Sequence, residues 1–300
     1  MTNTIRIQQW QGLFGNNLKQ LAGAIFYAKC CKGKTIINLP KNQYFKTETL
    51  IEIENEYDID IKFPQLLAWN NCKYLNNVID YVDVNEYTEF LQKNIISVYR
   101  NEIYEILDKS FDFSNFQDLN GLINLNEDLF IHIRSGDIMS SSAHSSYIQS
   151  PWAYFKKILE KVKPKKVVLC TGTGYGTENS GSNPCYNKII EYCGENDIKV
   201  DSTKRTLKED VYIFSHAKNI VIGGVSSFSV CSSFTNRNFS NIYYPGFFSG
   251  NIDADYYKVY DQKVRLYFYE FNDYYNLGKW KPNPKIMLEY SENLIKEIVR

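Results

Sequence analysis

The sequence has no charge of one sign to spare: 34 Lys and Arg balance 34 Asp and Glu, and the pI lies near 6.8. A chain without a basic field is a poor ligand for nucleic acid or an anionic lipid surface, so neither is an expected partner. Paired cysteines are missing too. The seven cysteines are odd in number and include no C-x-x-C; only Cys30 and Cys31 are close, and an ordinary disulfide does not join neighbours. They read as reduced thiols. The three histidines, His132, His144 and His216, are far apart, so no metal centre is expected. No run approaches the roughly 18 apolar residues of a membrane helix. The opening "MTNTIRIQQW" shows no basic segment followed by an apolar one, so the expectation is a cytoplasmic protein without a membrane span. Walker A and G-x-S-x-G patterns are also absent, which argues against kinase-like and α/β-hydrolase chemistry.

What is present alternates between strand and helix. "TIRIQQWQ" (Thr4 to Gln11) reads as a strand, and Leu18, Leu21, Ala22, Ile25 and Phe26 recur at helical spacing after Asn16 or Asn17 as cap. "KTIINLP" (Lys34 to Pro40) follows as a strand, making a βαβ start. A helix is expected near Glu86 to Lys109, and an Asn-rich stretch ending near Asn126 marks a domain boundary, giving domains of residues 1–125 and 126–300. Beyond it the alternation is clearer. "LFIHIRSG", "KKVVLCTG", "IKVDS", "NIVIGG", "NIYYPG" and "VRLYFYEF" read as strands. Helices are expected after a Ser150 cap with Pro151 at the first helical position, around Tyr186 to Cys193, after the Thr206/Glu209 capping box, and over Pro284 to Val299.

Chemistry gathers where these strands end. "DLFIHIRSGDIM" (Asp128 to Met139) presents His132, Arg134 and Asp137 beside the breaker Gly136, and an open α/β sheet holds ligands at its strand ends. An Arg paired with an acid to satisfy a strand end would leave the same pattern. "GGVSSFSVCSSF" (Gly223 to Phe234) combines two turn-forming glycines with Ser226, Ser227 and Ser229 at an expected helix N-terminus, a ready anion site or simple serine capping. "CTGTGYGTENSG" (Cys170 to Gly181) is spaced G-x-G-x-G and stays polar to Pro184, which is wrong for a dinucleotide turn. It reads as a loop with Glu178 as its acidic candidate for a nucleotide pocket. Two D-x-D pairs, Asp58/Asp60 and Asp253/Asp255, follow no long apolar strand and are weak metal candidates.

Three segments in order resemble one family. "GLFGNNLKQLAGAIFYAK" resembles the GxxGNQ helix start of fucosyltransferases, "HIRSGD" is similar to the HxRxGD signature of the α-1,2-fucosyltransferases and O-fucosyltransferases, and "DVYIFSHAKNIVIGGVSSFSVCSSFTN" is similar to their third signature. The chain departs from the pattern at Ser135, where the α-1,2 enzymes have a second arginine, at Leu13, where the O-fucosyltransferases have an arginine, and at Asn17, where glutamine is common. The resemblance implies an α/β, GT-B-like fold: two Rossmann-like domains facing across a cleft, acceptor on the N-terminal side, donor nucleotide on the C-terminal side, the last helix packing back on the first domain. It implies an inverting, metal-independent glycosyltransferase with no cofactor, transferring fucose from its donor substrate GDP-fucose to a glycan hydroxyl. Arg134 would hold the β-phosphate, and His132 and Asp137 would shape the guanosine side. Ser226, Ser227 and Ser229, with Phe228 among them, would sit at the diphosphate, and Gly15 with Asn16 near the reaction centre. Asp137 is a candidate base or a partner that orients Arg134. A non-catalytic sugar-nucleotide or glycan-binding protein, and a nucleotide-dependent oxidoreductase, are the alternatives.

Overall fold

The computed structural model describes residues 3–7, 9–10, 14–15, 17, 21, 24–25, 28, 33–40, 50–55, 73–75, 78–81, 105, 109, 122–145, 147–171, 183–226, 228, 236, 238–247, 264–275 and 280–299. Two compact units divide the chain, Met1–Phe113 and Ser114–Arg300. Leu125, at the boundary expected from the sequence, belongs to the second unit, where its carbonyl accepts the Lys218 N–H at 2.8 Å.

In the first unit a five-stranded sheet has the order β3-β2-β1-β5-β4. Its strands are β1 (Asn3–Ile7), β2 (Gly33–Asn38), β3 (Leu50–Asn55), β4 (Lys73–Leu75) and β5 (Val78–Tyr81). β1 runs parallel to both β2 and β5, and the two outer strands are antiparallel. Between β1 and β2, Phe14, Asn17, Leu21, Ala24, Ile25 and Ala28 are helical and buried, the i, i+3, i+4, i+7 spacing of one helix face. The expected βαβ start is therefore present. Phe14 and Gly15 are already helical, so Asn17 lies inside the helix, buried, and does not cap it; Asn16, the alternative cap, is outside the described residues. Of the helix expected over Glu86 to Lys109, Glu105 and Lys109 are helical and the rest lies outside the described residues. β3, β4 and β5 are not among the strands expected from the sequence.

The second unit carries a seven-stranded sheet in the order β12-β11-β10-β9-β6-β7-β8. Its strands are β6 (Leu129–His132), β7 (Lys166–Cys170), β8 (Lys199–Asp201), β9 (Asn219–Ile222), β10 (Asn241–Pro245), β11 (Arg265–Phe271) and β12 (Ile295–Val299). All neighbours pair in parallel except β11 with β12. Central strands of such a sheet are covered on both faces, and β6 is accordingly buried throughout, Phe130 and His132 as well as Leu129 and Ile131. Helices α1 (Trp152–Val162), α2 (Pro184–Glu195) and α3 (Leu207–His216) connect the strands, and a short α4 (Pro284–Glu289) precedes β12. Among the described residues no helix is long and apolar enough to cross a membrane.

Local chemistry explains most of these boundaries. The Thr206 hydroxyl accepts from the Glu209 N–H while the Glu209 carboxylate accepts from the Thr206 N–H, the expected capping box of α3. Ser150 does not cap α1. Pro151 occupies the N-cap, and Ser150 is held extended because it precedes a proline and its N–H donates to the Gly223 carbonyl at 3.0 Å. The helix expected over Pro284 to Val299 ends at Glu289. Ile295–Val299 instead pairs antiparallel with β11, with Ile298 opposite Phe268, because the open edge of β11 offers backbone partners that β-branched residues suit.

The connections β6 to β7 to β8 run one way across the sheet, and β9 to β10 to β11 run the other. Strand order therefore reverses between β6 and β9, which pair with His132 opposite Ile222. Just beyond that pair the Gly223 N–H donates to the His132 carbonyl at 2.9 Å, and a Cβ on Gly223 would lie 2.2 Å from the same oxygen. The obstacle is backbone. We expect Gly223→Ala to lower stability by about 3 kcal/mol, the upper end of overpacking costs, measured by urea unfolding; a loss under about 0.5 kcal/mol would contradict this approach.

Candidate functional site

Open α/β sheets receive ligands outside the carboxyl ends of their strands where strand order reverses, and in the second unit that point lies at the ends of β6 and β9. Arg134 leaves β6 there. Its side chain is half-buried, with the guanidinium 4.5 Å from the centroid of the Tyr147 ring. Its backbone is fixed from another direction: the Asn183 side-chain amide donates to the Arg134 carbonyl at 3.2 Å, and the Asn183 N–H donates to the Ser135 hydroxyl at 3.2 Å. The same Asn183 caps α2 by accepting from the Cys185 N–H at 3.0 Å. One buried residue thus ties the start of α2 to the turn that carries Arg134. Gly136 then turns the chain at φ 85°, a left-handed value that side chains resist, into a single 3-10 turn, Gly136–Met139.

Asp137 lies on that turn, and its side chain is outside the described residues. His132 is described in full. It is 3% exposed, its ring meeting Phe214 edge-on at 5.8 Å and Phe228 at 5.3 Å. Burial, and secondarily the positive charge of Arg134, push its pKa down to about 3, so the imidazole is neutral near pH 7. Its Nδ1 is buried without a hydrogen-bond partner. Phe228, expected at the diphosphate, is helical and packs on His132 and Phe214.

Ser226 is buried just past the two glycines that end β9. Ser227 and Ser229, with Asn16 and Glu178, lie outside the described residues, as do both D-x-D pairs. Gly15 is buried and helical in the first unit. The second unit therefore brings together His132, Arg134, Ser226 and Phe228 and the backbone of Asp137.

Sequence reasoning missed the clasp between the two loops. Gln149 and Gly224 form an isolated antiparallel bridge, and the Val225 N–H donates to the Ile148 carbonyl at 2.8 Å. The buried Gln149 amide donates to the carbonyls of Tyr147, Ile148 and Val225 at 3.1, 3.0 and 3.4 Å. The Tyr154 hydroxyl, from α1, donates to the Ile222 carbonyl at 3.0 Å. These bonds join the Arg134 loop to the Ser226 segment. The signal for Asn183 was available in its Asn-Pro start of a helix; no local signal marks Gln149, because its partners are distant in sequence.

Comparisons with known proteins give a likeness among solved structures only. No protein-family model matches the chain, and no curated protein matches it. Among solved structures it is similar to POFUT1 in complex with GDP, with a TM-score of 0.44 and 11% identity over 79% of this chain and 95% of that one. A TM-score that low adds nothing to what strand order and register already show.

A neutral buried histidine has a consequence for stability. Unfolding releases His132 to a normal pKa near 6.5, so the unfolded chain binds the extra proton between about pH 6.5 and pH 3. Stability should fall as pH drops through that window, by up to about 1.4 kcal/mol per pH unit from this residue. Urea unfolding at pH 7.0, 6.0 and 5.0 should show a shallower slope in His132→Asn than in wild type; equal slopes would contradict the burial of a neutral ring.

Proposed function

We propose that the chain is a glycosyltransferase that transfers fucose from GDP-fucose to a glycan hydroxyl, with inversion and without a metal, in a GT-B-like arrangement with the donor on the second unit. One observation carries the reading: Arg134 stands at the carboxyl end of β6 where strand order reverses, bonded through its loop to the Gly223–Ser226 segment at the end of β9. That is where an open α/β sheet receives a nucleotide. The residues there are also those through which the sequence resembles the fucosyltransferases.

In this reaction an acceptor hydroxyl oxygen attacks C1 of the sugar from the face opposite the diphosphate. The C1–O bond breaks, its electron pair stays on the β-phosphate oxygen, and the acceptor proton passes to a base. Negative charge grows on the leaving diphosphate. A guanidinium meets two phosphate oxygens in one plane and stays charged throughout, so Arg134 binds the transition state more strongly than the ground state. His132, neutral and buried among aromatic rings, supports the strand end without adding a second charge to it.

The test is turnover of GDP-fucose, by hydrolysis or transfer, in wild type and Arg134→Ala without added metal and again with EDTA. Wild type should turn over with and without chelator. The variant should retain its near-ultraviolet circular dichroism yet lose about 10²- to 10³-fold in rate, the loss of about 3 to 4 kcal/mol expected for a donor aimed at developing charge. Unchanged turnover in the variant would overturn the role given to Arg134.

A further inference from the structure

We infer that Tyr147 is a positioning residue for Arg134, holding the guanidinium flat so that its in-plane N–H groups meet a diphosphate. The inference rests on the reading of Arg134 as the diphosphate ligand. Tyr147 is an exposed aromatic, 37% accessible, among described residues whose large apolar side chains are mostly buried. Its ring is not simply left to solvent: the Arg134 guanidinium lies over one face at 4.5 Å, and His144 meets the ring edge-on at 5.8 Å.

The ring is also anchored through its backbone. The Tyr147 N–H donates to the His144 carbonyl at 3.0 Å, and the Tyr147 carbonyl accepts from the buried Gln149 amide at 3.1 Å. Gln149 in turn bridges to Gly224. Tyr147 is therefore tied to the clasp that joins both strand-end loops, and it presents a face to a cation that lies just past the end of β6.

A guanidinium held over an aromatic face is restrained through its flat π face, while its five N–H donors point outward in the guanidinium's own plane. Stacking therefore restricts the long arginine side chain without consuming a hydrogen bond that phosphate needs. Less rotamer freedom remains to be lost when the anion binds. The phenol hydroxyl has no part in this, so the requirement is for an aromatic ring rather than for tyrosine.

The experiment measures GDP affinity by calorimetry in wild type, Tyr147→Phe, Tyr147→Leu, Arg134→Ala and the double variant Tyr147→Leu/Arg134→Ala, with unfolding midpoints recorded for each. Tyr147→Leu should weaken GDP binding about three- to tenfold, and Tyr147→Phe should stay within about twofold of wild type. In the Arg134→Ala background Tyr147→Leu should add nothing, because a residue acting through Arg134 has no effect once Arg134 is gone. A purely packing role would persist in that background, and that result overturns the inference, as does wild-type affinity in Tyr147→Leu. If wild type itself binds no GDP, the donor reading falls and the positioning role falls with it. If wild type binds GDP and Arg134→Ala does not while Tyr147→Leu is unaffected, the donor reading stands and only the positioning role is lost.

Discussion

The hydrogen bond from the Gly223 N–H to the His132 carbonyl, at 2.9 Å, joins the two halves of the larger sheet where their connections part. Everything at the candidate site is placed relative to that join. Only a residue without a Cβ lets β9 end so close to the β6 backbone. Gly224, beside it, meets Gln149 just as closely, a Cβ there lying 2.5 Å from Oε1. Two consecutive glycines thus act on different neighbours, one setting the strand pair and the other setting the clasp between the loops.

Charge is distributed with the same economy. His132 and Arg134 are two residues apart, yet one is sealed among Phe214 and Phe228 as a neutral ring and the other leaves the sheet to lie over Tyr147. Desolvation dominates the first, and the neighbouring cation reinforces it. The histidine is thus uncharged beside a guanidinium that carries its charge.

Much of the second unit was legible in the sequence because its strands are short apolar runs bounded by glycine, proline and polar turns. "KKVVLCTG" and "NIVIGG" can hardly be anything but buried parallel strands, and Thr206 with Glu209 announces α3. Failures came where tertiary contact decided. Ile295–Val299 has a helix-compatible pattern, but the edge of β11 takes it as a strand. Ser150 has the right side chain for a cap and is diverted by its bond to Gly223. At the site, Arg134 and Gly136 could be read from "HIRSGD" alone, since a strand, a cation and a glycine turn are local features. Tyr147, Gln149 and Asn183 could not be tied to Arg134 in this way, because their link to it is through space.

In the proposed function guanosine diphosphate binds at the ends of β6 and β9, where strand order reverses. The most direct measurement is amide hydrogen exchange with and without saturating GDP. Protection should rise in Ile133–Gly136 and Gly223–Ser226, with the β12 edge and the surface of α2 unchanged. Protection confined to those distant elements, or no change anywhere at GDP concentrations in the millimolar range (about 4 kcal/mol of binding or less), would contradict the account.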